Sequence, residues 1–399
     1  MTKYNEIFDI SRYPSFKNGY QPDEDGPCIC LSGKKYKECC KEKVIRSRLI
    51  KYLNMHNDGL EELYKTKYEK LPSRRLFKKD IVKKKLSFCL ACKVLDDCTI
   101  DNKNNGCIDT VYSHTLSRGV VLKNLCNNEK DYVKQIDDHV MINDTDKKAS
   151  DRYIDIDIHK ASITVAFCKK HDEWLFEDVE KEGHKDYCNY EIQNLEYALK
   201  AISFEIYDLA FSVDYMVALI NENINVVYED ENFSGLLMEY AIKLDLMKSY
   251  LKTIDKLIID IKKFKEENKK SDIETLVIPL AYKRVEYSLA EVLDGCFVNI
   301  INAPKPFIIV SYYPDIKIED QEILLLANNY KLSSSNENLK LITEYIISNS
   351  KNIYFNKSTI DSLSEKVKEE LYYAHRWGIG YGKVSKGFID IMMTALYKK

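Results

Sequence analysis

Four cysteines lie close together near the start of the chain, in the order Cys28-Ile29-Cys30 and then, after eight residues, Cys39-Cys40. Thiolates are soft, anionic ligands, and four of them brought together by one short loop suit a tetrahedral zinc ion. The loop itself, Leu31-Ser-Gly-Lys-Lys-Tyr-Lys-Glu38, is basic. Its Ser32-Gly33 pair allows the sharp reversal that returns the second cysteine pair to the first. An incidental cluster of free thiols is the plain alternative, and spacing and turn together weigh against it.

A second group follows in residues 86–190, which hold seven of the twelve cysteines and five of the seven histidines. Cys89-Leu-Ala-Cys92 has the spacing of a zinc knuckle, and Cys168-Lys-Lys-His171 repeats it about seventy-five residues later. Two such pairs could close one tetrahedral site. Cys98 and Cys107 are alternative partners for Cys89 and Cys92, giving a compact local finger instead. Between the pairs stands Ser113-His114, and Asp172 directly follows His171. A histidine could take up a proton near neutral pH, although a lone histidine is more often a satisfied core residue. Cys126, Cys188 and Cys296 read as buried apolar thiols. Asp155 and Asp157 alternate on an expected strand; they could join a metal site, and a solvated strand face is the simpler reading.

Residues 27–40 resemble the SEC-C motif, the small zinc module of the SecA translocation ATPase tail. Cys28-Ile29-Cys30, Ser32-Gly33, Lys34, Lys35, Tyr36, Lys37 and Cys39-Cys40 carry the resemblance. Leu31 departs from it, standing where that family often has glycine. The resemblance implies zinc binding and docking to a partner, without catalysis, and covers only a small part of the chain. The central region loosely resembles zinc-stabilised HNH-type nucleases, whose fold is treble-clef-like. Carried over, that resemblance implies structural zinc on Cys89, Cys92, Cys168 and His171. His114 would be the general base, Asn128 its orienting residue and Asp172 a ligand of a catalytic divalent metal. The departures are a long insertion between knuckles, Asp172 where histidine is usual, and Ser117-Arg118 where a proline is usual after the base.

The elements that must position these residues come from periodicity and punctuation. Residues 1–26, with Pro14, Gly19, Pro22 and Gly26, read as a poorly ordered lead-in, and 27–42 as the zinc module. Apolar residues at three- and four-residue steps predict a helix over 43–70, and a lysine- and arginine-rich linker completes the segment 43–85. Residues 86–190 form the Cys/His-rich region, where Tyr153–Ile158 alternates as a strand and Asn104–Gly106 and Asn143–Asp144 mark turns. The remainder, 191–399, reads as a C-terminal domain of helices and a small sheet. Long helices are expected over 191–267, broken by a loop near 221–233. Strands follow at 276–280, 297–301 and 307–311, then a helix at 359–375 capped by Thr359 or Asp361. His375-Arg376-Trp377, after Tyr372-Tyr373, could contact an anion or a base; the simpler reading is a cationic helix end facing the dipole. Gly378-Ile-Gly380-Tyr-Gly382 follows a helix, so it lacks the context of a dinucleotide loop.

Composition bounds what these parts can do. The chain has 399 residues, 45% hydrophobic and 31% charged, enough for two or three domains with real cores. No secretory pattern opens it and its apolar runs are too short to span a bilayer, so a soluble cytoplasmic protein is expected. In that setting cysteines favour metal sites and buried thiols over disulfides. Residues 1–85 carry 21 Lys/Arg against 12 Asp/Glu, whereas 86–399 carry 39 against 51. The basic front end suits a protein or nucleic-acid partner with an acidic surface. The expectation is therefore an α+β protein with one zinc in the N-terminal module and a second in the Cys/His region. It acts as a binding or adaptor protein, with a defence-related, metal-dependent nuclease as the alternative.

Overall fold

A computed structural model of the chain describes residues 13–17, 21–42, 89–95, 100–101, 106–107, 110–126, 131–137, 148–180, 187–188, 190–222, 233–302, 304–315 and 321–399. The expected basic helix and linker at 43–85, the turn at 143–144, Asn128 and Cys98 lie outside these residues, as does the side chain of Cys107. The fold is α+β, as the mixture of periodicities predicts. Among the described residues no helix is long and apolar enough to cross a membrane.

The chain divides into two compact units, each assembled from alternate stretches: residues 1–110 with 206–253, and residues 111–205 with 254–399. The breaks in composition, by contrast, divide the chain serially. In the first unit Phe16–Lys17 and Gln21–Pro22 pair as a minimal antiparallel ladder. The Cys28–Cys40 loop follows, and part of the helix Phe233–Glu267 supplies Tyr240.

The second unit is built on a seven-stranded sheet, antiparallel at every junction. Its spatial order is Tyr153–Asp157, Tyr132–Ile136, Ile353–Asn356, Tyr287–Leu293, Cys296–Ile301, Phe307–Tyr312 and Glu274–Pro279. The strands expected at 276–280, 297–301 and 307–311 are the last three, within a residue or two. Pro279, which cannot donate to a ladder, sits on the edge strand, where proline is tolerated. Tyr287–Leu293 and Cys296–Ile301 are buried at every position, so helices must cover both faces. One face packs Leu276, Leu289, Val298, Ile308 and Val310 with Ile323, Ile342, Leu371 and Phe388 from four C-terminal helices. On the other face Asn299 donates to the backbone oxygen of Tyr197 in the helix Glu191–Glu222 (3.3 Å), and Lys256 lies over the Tyr313 ring (3.4 Å). Leu116, Leu122, Leu125 and Ile158 form a smaller core against Ala290 and Tyr354.

Two local expectations are corrected. The helix placed at 359–375 is two helices, Lys357–Ser362 and Glu365–Trp377, and neither Thr359 nor Asp361 caps them. Asn356 accepts from the Thr359 amide (2.8 Å) and Ser364 from the Val367 amide (3.4 Å), each one residue ahead of its first turn. Cys126 and Cys296 are buried thiols, but Cys188 is exposed, because it precedes the helix Glu191–Glu222 instead of facing a core. Asp155 is held by Lys134 (2.7 Å) and Lys357 (2.8 Å), and Asp157 accepts from the His159 amide (2.8 Å). Both carboxylates are thus engaged by protein donors.

Candidate metal centre

The first cysteine pair is fixed by a tight backbone loop. Pro27 bridges to Lys35, the Cys28 amide donates to the Lys34 oxygen (2.8 Å), and the Leu31 amide donates back to Cys28 (2.9 Å). The reversal passes through Leu31 at φ 54° and Gly33 at φ 78°. Glycine accepts the left-handed region freely, and a leucine there is strained. The departure at Leu31 thus falls where the backbone would prefer glycine. A single helical turn, Tyr36–Cys39, then carries Cys39 and Cys40 back toward the first pair. It is anchored by amide bonds from Tyr36 to the Gly26 oxygen and from Lys37 to the Glu24 oxygen.

The four sulfurs converge. Cys28 and Cys30 are 3.4 Å apart, Cys30 and Cys39 3.6 Å, and Cys39 and Cys40 3.9 Å. All four lie within 4.8 Å of one another. Zinc–sulfur bonds of about 2.3 Å in a tetrahedron separate the sulfurs by about 3.8 Å, so the set fits a four-coordinate metal. Cys28 and Cys40 are buried and Cys30 and Cys39 are part-exposed. The thiol of Cys30 is held far below its ordinary value, first by hydrogen bonding from Cys28 and then from Cys40. Cys28 is pushed up to about 11, chiefly through its bond to Cys30. Cys40 is raised too, chiefly through Cys28. A divalent cation held by all four sulfurs would neutralise their thiolates.

The loop is supported from behind. Ile29, between the first two ligands, is fully buried. Its backbone oxygen accepts from the Tyr240 hydroxyl (3.4 Å), and Phe16 meets the Tyr240 ring edge-on (5.8 Å). Tyr240 carried no signal in the sequence beyond its helical spacing. The loop's basic character is also largely answered internally: Lys37 and Lys35 reach Asp25 (2.7 and 3.5 Å), and Lys41 reaches Glu24 (2.6 Å).

The residues of the second group belong to both units. In the first, Cys89 is buried at the head of the short 3-10 turn Leu90–Lys93. Cys92 lies within that same turn. In the second unit Cys168 is the N-cap of the helix Lys169–Leu175, and its side chain makes no cap bond. His171 lies three residues on, in the same first turn, so the pair shares one helix face. Cys168 Sγ and His171 Nδ1 are 3.4 Å apart and both residues are buried.

His114 lies on the two-residue ladder Ser113–His114 with Ile163–Thr164. Its Nδ1 is 2.8 Å from the Ala161 backbone oxygen, which fixes the proton on Nδ1. Its own backbone oxygen accepts from Lys200 Nζ (2.8 Å). Burial, together with the charges of Lys200 and Arg118, lowers the His114 pKa; the Ala161 bond opposes this. Asp172 is raised by burial, with Lys200 and the Ser113 hydroxyl working against it.

Lys200 and Glu180 were missed from the sequence. Lys200 is buried under the Phe176 ring (4.1 Å) and bonds Glu180 (2.5 Å). Glu196, one turn earlier, is buried too and reaches Lys265 (2.8 Å). An i,i+4 Glu–Lys pair reads as a solvated helix face, and only packing by distant residues reverses that.

A family model for the SEC-C motif matches residues 27–42. No curated protein and no solved structure matches the chain, and the HNH resemblance gains no support from these comparisons.

Proposed function

We propose that residues 27–42 form a zinc-binding docking module and that the chain acts as a binding or adaptor protein. One zinc would be held by Cys28, Cys30, Cys39 and Cys40. The observation that carries this reading is the convergence of four sulfurs at the separations a tetrahedral ion requires. Zinc here is structural: closing the loop fixes its shape, and such sites contribute on the order of 10 kcal/mol to local folding. Because the lysines around the site are largely paired with Glu24 and Asp25, shape and apolar contact would dominate docking over net charge, which favours a protein partner at this module. The test compares partners retained by wild type and by Cys28→Ser/Cys30→Ser. Partners held by wild type alone support docking through the module, and identical sets from both reject it.

The expected second zinc site rests on spacing, and Cys168 and His171, 3.4 Å apart in the second unit, are the pair its test removes. Its test is the metal content of Cys168→Ser/His171→Ala against wild type, with one zinc fewer expected.

Nuclease activity is the second reading. The observation favouring it is the tether on His114: with Nδ1 donating to Ala161, Nε2 keeps the lone pair a general base needs. Asp172 would then serve a divalent metal. Loss of magnesium- or manganese-dependent DNA cleavage in His114→Ala would support it, and no cleavage by wild type would reject it.

A further inference from the structure

The C-terminal end of the helix Glu365–Trp377 carries an exposed aromatic and cationic surface that neither the metal centre nor the His114 region uses. The helix ends at Gly378, whose φ of 84° sets a sharp exit. Two turn bonds follow, from the Tyr381 amide to the Gly378 oxygen (3.1 Å) and from the Val384 amide to the Tyr381 oxygen (2.9 Å). They fold the chain back so that Tyr381 stacks on Trp377, with centroids 6.0 Å apart and planes 28° from parallel. Both rings face solvent, Trp377 at 51% and Tyr381 at 38% exposure.

The platform rests on a rigid base. Tyr381 lies 5.6 Å from buried Tyr373. Tyr373 is overlain by Lys383 at 4.5 Å and accepts a hydrogen bond from its ammonium (2.8 Å at the hydroxyl). Arg152, from a distant part of the chain, sits over Tyr372 and Tyr373 at 4.5 and 5.4 Å. The rings are thus fixed before any ligand arrives, which lowers the ordering cost of binding.

The charge around the rings is one-sided. Residues 371–389 contain His375, Arg376, Lys383 and Lys386 and no Asp or Glu, within a half of the chain that is acidic overall. Of the flanking carboxylates, Glu370 is buried and 4.0 Å from Lys366, Glu369 lies 4.0 Å from Arg152, and Asp390 pairs with Lys340 at 2.5 Å. Side chains added at Gly380, Gly382 or Gly387 would meet nothing within 4 Å, so packing does not demand glycine there.

Exposed, preorganised rings flanked mainly by cations match one ligand chemistry: flat bases joined by phosphates. We propose that Trp377 and Tyr381 form a stacking platform for single-stranded nucleic acid, with Arg376, Lys383 and Lys386 meeting the phosphates. Stacking reads no particular base, so binding is weakly selective for sequence. This platform is independent of the zinc module. Together they describe an adaptor that holds a protein at one site and a single strand at the other.

The chain has two tryptophans, so Trp174→Phe in the full-length protein leaves Trp377 as the sole indole reporter. It is titrated with 20-nucleotide oligo(dT) and oligo(U), with polyglutamate as a charge control. The expected result is saturable quenching by one or both oligonucleotides and none by polyglutamate; the stronger oligonucleotide tells DNA from RNA. In anisotropy measurements with labelled oligonucleotides, Trp377→Ala in the wild-type chain weakens affinity about tenfold, and Trp377→Phe largely restores it. Lys383→Ala/Lys386→Ala lowers the slope of log affinity against log salt by about 1.4. Binding without Trp377 quenching, equal affinity of Trp377→Ala, quenching by polyglutamate, or no binding at about 100 µM would each overturn the proposal.

Discussion

At the scale of single residues, the metal loop shows how a local pattern can be legible and still carry a defect. The ligand set was readable because C-x-C and C-C need only a short turn to meet, and no distant contact decides that geometry. Leu31 is the exception, held at φ 54° where its side chain crowds the backbone. A leucine in the left-handed region costs roughly 1–2 kcal/mol, part of which glycine's greater unfolded freedom offsets. Leu31→Gly should therefore bind zinc more tightly, by up to about fivefold in chelator competition; weaker binding would show that the Leu31 side chain supports the loop. His114 offers a second residue-level prediction. Burial lowers its pKa below 6.5 in the folded chain, so its contribution to stability is complete above that pH and declines as pH falls through the folded value. Its ring signals in a histidine-labelled sample should titrate below pH 6.5. Between pH 7.5 and 5.5 wild type should lose more stability than His114→Gln, and a midpoint above 6.5 would contradict the burial account.

At the scale of elements, alternation and apolar runs located the strands around 276–311 because those residues are buried whichever partner they find. Capping was read less well. Thr359 and Asp361 have the right chemistry but sit inside the first short helix, while Asn356 and Ser364 stand before the two helices and accept their amides. Ser364→Ala should destabilise the second unit by about 1 kcal/mol in urea melts, whereas a conservative change at an exposed first-turn position, Lys366→Gln, should stay within about 0.5 kcal/mol. Equal effects would argue against the cap. The ion pairs of Asp155, the Lys200–Glu180 contact and the Arg152–Tyr372 stack join residues 20 to more than 200 positions apart. Nothing in one-dimensional spacing marks such partners, which is why Lys200 reads as a surface residue.

At the scale of the whole molecule, the account separates charge from docking. The front of the chain is basic by count, yet around the metal centre Lys35, Lys37 and Lys41 are already paired. A partner bound through the zinc module should therefore lose no more than about threefold in affinity between 50 and 200 mM salt; a loss of about a thousandfold would mark phosphate contacts there instead. All of this depends on the four-cysteine loop holding an ion. The most direct measurement is zinc per chain by elemental mass spectrometry on purified full-length protein, for wild type and Cys28→Ser/Cys30→Ser. The account predicts that the variant carries one zinc fewer than wild type, whatever the second Cys/His group contributes. Equal zinc in both proteins, or none in wild type, would contradict it.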